Sequence, residues 1–453
     1  KSYDAVPTDR QAGNVSAVRE ARARADLTNP RLLALTRALS PLYIRYSGTT
    51  ANSVYFQDNN QAALAEPPKG YKVVLTREGW KGAVDFAKAV NAKILTSFTN
   101  SDGVRDASHT WTPRMAASWL AYNKAIGGEI YAAELFNEPN APDPGVAPNG
   151  HTAAEFARDY AAFSTFMKRT APEIKLAGPG VAKLGIPIPS MDGVTAADYA
   201  SANPNPKFDI FSYHFYPGLA QRCAPANSPQ GISADRALTE DWLGRTDAEV
   251  RAQKAVRDRY APGAPLWITE TGGGACGGLT WQPAFLDVFR YVDTHARNAK
   301  NGVDAMFTHA LISGSNGVID EKTFQPNASY WAAVLWRRLM GAKVLDAGIQ
   351  RDGLHIYAHC QNGQQGGVTV LAINLSSSAK ALDVTGPADV YALTSPDLQS
   401  KTVLLNGQVL ALSAQDALPA MSGARTASGR IDLAPTSVNF IAIPQARNAA
   451  CSR

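Results

Sequence analysis

Residues 130–140 read IYAAELFNEPN, an apolar β-rich run that ends at a proline. Seven similar runs lie at residues 2–6, 42–48, 93–100, 175–178, 208–216, 265–270 and 305–312. Between them, apolar residues recur at helical spacing in residues 31–39, 80–90, 113–125, 153–170 and 282–299. Because strands that alternate with helices form parallel βα units, the eight runs predict an α/β fold with a (β/α)8 TIM barrel over residues 1–340.

The pattern changes after residue 340. Short alternating runs follow at residues 354–360, 367–374, 389–393, 401–405 and 437–444, separated by glycine, asparagine, serine and proline. This pattern predicts an appended C-terminal all-β sandwich domain over residues 341–453.

Composition limits the class of partner. The 453 residues carry a net charge of +5, with lysine and arginine spread along the chain, so nothing indicates nucleic-acid binding. The positive charge fits an anionic substrate and an ordinary solvated surface equally well. No run reaches the ~20 apolar residues of a membrane span, and we expect a monomer. No cluster of metal ligands is apparent, so we expect no metal and no cofactor.

The chain has four cysteines, Cys223, Cys276, Cys360 and Cys451. Their number is even, and no C-x-x-C spacing suggests zinc or a redox pair. Disulfides in a secreted or periplasmic protein are therefore the favoured interpretation, and four buried free thiols are the alternative.

Two of the predicted strands end in a glutamate. Barrel enzymes carry their reactive groups at the C-terminal ends of strands, and here Glu138 ends the fourth run and Glu270 the seventh. A pair of carboxyl groups is what retaining hydrolysis of a glycosidic bond requires, since one protonates the leaving oxygen and the other attacks the sugar. A loop acid and a salt-bridge partner are the alternatives for these two residues.

The sixth run ends in the sequence SYHFYP, which contains His214 and Tyr216. We expect Tyr216 to hydrogen-bond the nucleophile and keep it ionised, and His214 to tune the acid or line the sugar pocket, although both residues also fit an ordinary polar core. The glycine-rich loop after Glu270 includes Gly277 and Gly278 and lacks the lysine and serine or threonine of a phosphate loop. Its backbone N–H groups are suited to bind a sugar carboxylate.

Several longer segments resemble the heparanase family of glycoside hydrolases, family 79, over essentially the whole chain. They are SPLYIRYSGT at 40–49, NEPN at 137–140, WITET at 267–271, GAKVL at 341–345, IYAHC at 356–360 and AINL at 372–375. The terminal AAC at 449–451 also matches the family. The resemblance implies that Glu138 is the acid/base and Glu270 the nucleophile. It further implies that glucuronic acid is held by Thr49, Asn137, Tyr216 and the backbone of Gly277 and Gly278.

The resemblance also implies a Cys360–Cys451 bridge, which leaves Cys223 and Cys276 to pair with each other. One departure concerns the loop after the eighth run, SGSNG at 313–317, which lacks a tyrosine that helps bind the uronate carboxylate in the family. We expect Asn316 to take its place.

Three functions are compatible with these features. The favoured one is a retaining endo-β-glucuronidase that acts on heparan sulfate or a similar anionic polysaccharide. An exo-β-glucuronidase that releases terminal glucuronic acid is the nearest alternative, and it requires segments such as 141–154 or 221–238 to close the cleft. A non-catalytic carbohydrate-binding protein is the third.

Overall fold

The computed structural model describes residues 2–5, 19–22, 25–141, 151–202, 208–224, 228, 230–348 and 352–452. Seven parallel strands form one sheet in chain order: β1 Leu42–Tyr46, β2 Ala92–Ser97, β3 Ile130–Glu134, β4 Lys175–Leu184, β5 Ile210–Tyr216, β6 Leu266–Thr271 and β7 Ala305–Thr308. The two edge strands approach each other, since the rings of Tyr43 in β1 and Phe307 in β7 are 5.9 Å apart. The sheet is therefore a nearly closed barrel, and the predicted fold class is confirmed.

Helices occupy the chain between the strands. The longer ones are α1 Pro30–Ala38, α2 Arg77–Ala89, α3 Arg114–Ala125, α4 Ala153–Thr170, α5 Arg245–Tyr260, α6 Leu286–Lys300 and α7 Ala328–Leu339. Short helices span Pro189–Asp192, Ala196–Ala202 and Glu240–Leu243. Helix α4 begins with a capping box, in which Thr152 and Glu155 each accept a hydrogen bond from the other's backbone N–H. None of the helices in the described ranges is long and apolar enough to cross a membrane.

Three pairs of short parallel strands lie outside the barrel sheet. They are Val54–Gln57 with Val73–Thr76, Leu219–Ala220 with Gly231–Ile232, and Ile312–Ser313 with Ile319–Asp320. The second and third pairs follow β5 and β7, so they border the end of the barrel at which those strands finish.

The prediction that residues 2–6 form the first barrel strand was wrong. Ser2–Ala5 pairs in antiparallel register with Arg19–Arg22 in a separate two-stranded sheet, and residue 6 lies outside the described part of the chain. A partner so near in sequence costs little loop-closure entropy, whereas a place in the barrel requires parallel pairing with distant strands. The barrel sheet consequently has seven strands among the described residues, not eight.

The barrel interior is layered. Tyr43, Trp267 and Phe307 pack together, with ring centroids 4.9–5.9 Å apart. The next positions inward along the strands are polar and include Arg45 and Glu134. A layer of aromatic side chains thus packs below a layer of charged side chains, which lies next to the C-terminal ends of the strands.

The C-terminal region contains an eight-stranded antiparallel sheet. Its main strands are β8 Met340–Leu345, β9 Leu354–Gln361, β10 Val368–Asn374, β11 Ala388–Thr394 and β12 Ser437–Ile443, and Leu404–Leu405, Gln408–Val409 and Ala424–Thr426 extend it. A second sheet pairs Lys380–Val384 with Gly429–Leu433. Side chains of both sheets, including Leu354, Leu433 and Ile441, form a shared apolar core, which confirms the predicted sandwich.

The opposite face of the large sheet packs on the barrel. Tyr357 and Phe440 from the sheet share one apolar cluster with Val292 of α6 and Trp331 of α7. The boundary predicted between residues 340 and 341 falls inside β8. Since the barrel helices and the sandwich bury one common core, the division of the chain into two domains stays a prediction.

Both disulfides have the pairing that the resemblance implied. Cys360 in β9 is bonded to Cys451, and Cys223 is bonded to Cys276. The first bridge ties Cys451 to the large sheet, across a sequence separation of 91 residues. The second joins two loops outside the barrel strands, one of them the glycine-rich loop after β6.

We predict that replacing Cys360 and Cys451 together by serine lowers the melting temperature. The bridge closes a long loop, and in the chain-entropy model its loss destabilises the folded state by roughly 4 kcal/mol. Differential scanning calorimetry under non-reducing conditions measures the change. An unchanged melting temperature in the double variant would show that the bridge does not stabilise the fold.

Candidate active site

Glu270 lies in β6, and both of its carboxylate oxygens accept strong hydrogen bonds. The Tyr216 hydroxyl at the end of β5 donates to Oε1 at 2.7 Å. The Arg45 guanidinium in β1 donates from Nη1 to Oε2 at 2.9 Å. Three strands of the barrel therefore fix this one carboxylate.

The surroundings of Glu270 keep it ionised. Burial raises the pKa of its carboxyl group, but the positive charges of His214, His309 and Arg45 and the hydrogen bond from Tyr216 outweigh burial and lower the pKa to about 2. Burial and the adjacent Glu270 raise the pKa of Tyr216 well above its ordinary value, so its hydroxyl keeps its proton. Glu270 is thus a permanent anion at neutral pH.

Glu138 faces Glu270 from the turn that follows β3. Its φ of 48° lies in the left-handed region, which is uncommon for a residue with a side chain and often marks a functional turn. Its Oε1 lies 2.9 Å from Nδ1 of His214, a fully buried residue of β5. The same nitrogen is 3.9 Å from Glu270 Oε2, so His214 lies between the two acids.

A third carboxylate lies beneath these two. Glu134, at the end of β3, accepts hydrogen bonds from Arg45 Nε and Nη2 on one oxygen. Its other oxygen accepts from the hydroxyls of Ser212 and Thr269. Arg45 therefore bridges Glu134 and Glu270, and a buried cation is balanced by two anions.

Asn137 is buried and forms part of the same network. Its side-chain oxygen accepts from Arg45 Nη2 at 2.8 Å. Its backbone N–H and C=O both bond to the side chain of Asn52, at 2.8 Å each. Thr49 is half-buried and opens the helical turn Thr49–Ser53 that carries Asn52, and its contact with substrate stays a prediction.

The glycine-rich loop is held from outside the barrel. Cys276, Gly277 and Gly278 have consecutive positive φ angles of 77°, 62° and 79°. The Arg222 guanidinium packs against Gly278, where a Cβ atom would clash with it. The backbone N–H of Gly278 donates to the Ser315 hydroxyl at 3.1 Å, so this loop contacts the loop after β7.

Asn316, expected to take the place of the family's tyrosine, is largely buried in that second loop. Its side-chain oxygen accepts from the Ser313 hydroxyl at 2.6 Å, and its nitrogen donates to the backbone oxygen of His309 at 3.2 Å. The Asn316 side chain thus supports its own loop. A direct contact between Asn316 and substrate stays a prediction.

Sequence reasoning assigned no role to four residues of the site: Arg45, Glu134, Asn52 and His309. Arg45 and Glu134 each put a charge inside an otherwise apolar strand, and a buried charge needs a partner, which is a signal visible in the sequence. Asn52 lies in a segment without periodicity, and His309 lies in the predicted run 305–312 but follows the observed strand, which ends at Thr308, so only the fold brings these two residues to the carboxylates.

Glu138, His214 and Glu270 place one potential ligand atom each within 4.8 Å of one another, the only such cluster among the residues the structure describes. Hydrolysis by two carboxyl groups needs no metal ion. The expected absence of a metal and of any other cofactor stays a prediction.

We predict that Arg45→Met lowers the free energy of unfolding by about 3–5 kcal/mol, because Glu134 is left buried without its charged partner. Adding Glu134→Gln should restore part of the loss, since the amide oxygen still accepts from Ser212 and Thr269. Urea unfolding at neutral pH measures both changes. A double variant no more stable than Arg45→Met would show that the ion pair is not the cause.

Comparison with known proteins finds heparanases and heparanase-like proteins that are similar to this chain over nearly its whole length. No protein-family model matches. Heparanase from Mus musculus is 26% identical, with 94% of this chain and 88% of that protein covered. Heparanase-like protein 1 from Arabidopsis thaliana is 24% identical over 94% of this chain and 86% of its own length. Inactive heparanase-2 from Homo sapiens is also 24% identical, over 94% and 83%.

Solved structures share the fold at lower identity. A 4-O-α-L-rhamnosyl-β-D-glucuronidase from Fusarium oxysporum superposes with a TM-score of 0.64 at 14% identity, and the match covers 97% of both chains. An α-L-arabinofuranosidase from Thermotoga maritima gives a TM-score of 0.63 at 15% identity, over 93% of this chain and 92% of that one. The barrel, its carboxylate-lined end and the full-length relatives together identify the chain as a glycoside hydrolase related to the heparanases.

Proposed function

We propose that the chain is a retaining β-glucuronidase of the heparanase type, with Glu270 as the nucleophile and Glu138 as the acid/base. The observation that carries this proposal is the unequal hydrogen bonding of the two carboxyl groups. Glu270 accepts from Tyr216 and from the Arg45 cation, whereas the hydrogen bond of Glu138 is to His214. Such a pair divides the tasks of nucleophile and proton donor.

The separation of the two acids supports retention. One carboxylate oxygen of Glu138 and one of Glu270 lie within 4.8 Å of each other. Retaining enzymes hold their carboxyl groups about 5–5.5 Å apart, and inverting enzymes need about 6.5–9.5 Å to admit a water molecule. The geometry therefore favours direct attack by Glu270 on the sugar.

The reaction then has two steps. Glu138 gives its proton to the glycosidic oxygen while a Glu270 oxygen bonds to the anomeric carbon, and the aglycone leaves. Glu138, now ionised, takes a proton from water as the water oxygen attacks the same carbon and releases Glu270. Two inversions at one carbon retain its configuration.

Glucuronic acid is the sugar that the relatives' names and the loop chemistry favour. Gly277 and Gly278 have positive φ angles, and because the N–H of Gly278 donates to the Ser315 hydroxyl, the N–H of Gly277 is the donor that we assign to the sugar carboxylate. The net charge of +5 is compatible with an anionic polysaccharide such as heparan sulfate. We infer a secreted or periplasmic protein, because two disulfides fit an oxidising compartment, and a monomer stays a prediction.

Endo action on an internal linkage is our leading hypothesis, and exo action on a terminal residue is the alternative. Exo action requires segments 141–154 or 221–238 to close the cleft. Residues 142–150, 225–227 and 229 of these segments lie outside the described part of the chain. The third hypothesis, a binding protein without turnover, has a precedent in the name of the human relative, inactive heparanase-2.

An assay with two substrates separates the three hypotheses. The chain is incubated with a heparan sulfate polymer and, separately, with an aryl β-glucuronide, and Glu270→Gln serves as the blank. We expect the polymer to shorten, with no change in the blank. Release of aglycone without shortening would favour exo action. Binding of the polymer without either reaction would favour a binding protein.

We predict that Glu138→Ala affects natural substrates far more than an activated aryl glucuronide. A good leaving group needs little protonation, so its first step survives loss of the acid. Azide needs no general base, so it should attack the glycosyl-enzyme and give a β-glycosyl azide. Kinetics and product mass measure both effects, and Glu173→Gln, an exposed change in the loop after α4, is the control. Equal losses on both substrates and no effect of azide would contradict the assignment.

A further inference from the structure

His309 lies beside the proposed nucleophile and has no role in the mechanism above. It follows β7, and its Nδ1 is 3.0 Å from the Tyr216 hydroxyl and 3.8 Å from Glu270 Oε1. Its side chain is 51% exposed, whereas that of Glu270 is 16% exposed. An accessible imidazole is thus connected to the nucleophile through one buried tyrosine.

The backbone of His309 is tied to the nucleophile strand. Its N–H donates to the backbone oxygen of Thr271, the residue after Glu270, at 2.8 Å. Its own backbone oxygen accepts from Asn316. These two bonds fix the backbone from which the imidazole extends to Tyr216.

Counting protons gives the direction of each hydrogen bond. The Tyr216 hydroxyl has one proton, and an ionised Glu270 has none to give. The 2.7 Å bond between them is therefore a donation from tyrosine to glutamate. The Tyr216 oxygen can then only accept from His309, so Nδ1 of His309 must carry a hydrogen.

We propose that His309 is a positioning residue: its Nδ1–H donates to the Tyr216 oxygen and turns the tyrosine proton toward Glu270. Hydrogen bonds in such a chain polarise one another, so the donation from His309 strengthens the donation to the carboxylate. This inference rests on the proposed function, in which Glu270 must stay ionised to attack the sugar.

Other charges around Glu270 set the size of the effect. Arg45 contacts its Oε2 from β1, His214 approaches from β5, and Glu138 lies opposite after β3. Glu134 balances Arg45 from below. Loss of the hydrogen bond from His309 to Tyr216 therefore reduces the stabilisation of the Glu270 anion only in part. The pKa of Glu270 rises as a result, while the other charges still lower it.

The first test compares the pH dependence of kcat/KM for His309→Phe and His309→Asn on an activated aryl glucuronide. Phenylalanine has no donor, so we expect the acid limb to move up by about 0.5–1 pH unit, the size of one hydrogen bond. Asparagine carries an N–H near the position of Nδ1 but no charge, so it should restore the part of the shift that comes from the donation to Tyr216. An acid limb at the same pH in the wild type and in His309→Phe would overturn the proposal.

A double-mutant cycle tests whether His309 acts through Tyr216. In the Tyr216→Phe background the hydroxyl is gone and only the direct charge effect of His309 on Glu270 remains, so His309→Phe should shift the acid limb less than it does in the wild type. An equally large shift in both backgrounds would mean that the imidazole acts on Glu270 by its charge alone, and the proposed relay would be wrong.

Nitrogen-15 NMR of the histidine rings gives a readout that does not need turnover. We expect a hydrogen on Nδ1 of His309, with the signal assigned by its loss in His309→Asn. A ring protonated only on Nε2 would overturn the relay even in an active enzyme. An Nδ1–H in a chain that hydrolyses no glycoside would instead leave the relay standing and refute the proposed function.

Discussion

The Arg45 guanidinium inside the barrel is the interaction on which the site depends. It is almost fully buried and touches Glu134 and Glu270, both at 2.9 Å, so it joins strands β1, β3 and β6. A cation in this position is tolerated only because two carboxylates compensate it and further hydrogen bonds satisfy them. The ion pair with Arg45 also keeps Glu270 ionised and fixes the orientation of its carboxylate. The interaction that compensates the buried arginine therefore also prepares the proposed nucleophile.

The two proposed catalytic acids differ because their partners differ. Both side chains are 16% exposed, so burial alone does not distinguish them. Glu270 receives an arginine cation and a tyrosine hydroxyl, whereas Glu138 extends from a left-handed turn to a buried histidine. The barrel thus presents two chemically identical groups in two electrostatic environments, which is the condition for dividing the work of acid and nucleophile.

Much of the fold was visible in the sequence because its signals are local. Seven of the eight predicted strands form the barrel sheet, and the helical spacing of apolar residues predicted α4 over the residues that it occupies. The prediction for residues 2–6 was wrong because a short β-rich run does not indicate which strand it pairs with. Helix α5 was missed since it is polar along most of its length and buries only Thr246, Val250 and Gln253. The disulfide pairing came from the resemblance and not from spacing.

The carboxylate pair was predictable because strand ends converge in a barrel, whereas the groups that tune it were not. Arg45 and Glu134 were visible as charges in apolar strands, but which carboxylate each would meet depends on register between strands far apart in sequence. His309 lies in a loop, and its contact with Tyr216 spans 93 residues. Long-range pairing of this kind is a property of the folded barrel and leaves no local pattern.

The central claim is that Glu270 forms a covalent bond to the sugar, and trapping that intermediate tests it most directly. A 2-deoxy-2-fluoro-β-glucuronosyl fluoride has a reactive leaving group and a fluorine that slows the second step. After incubation and proteolysis, mass spectrometry should find one fluoroglucuronosyl group, on Glu270. A label on Glu138, or no label from an enzyme that still hydrolyses aryl glucuronides, would contradict the account.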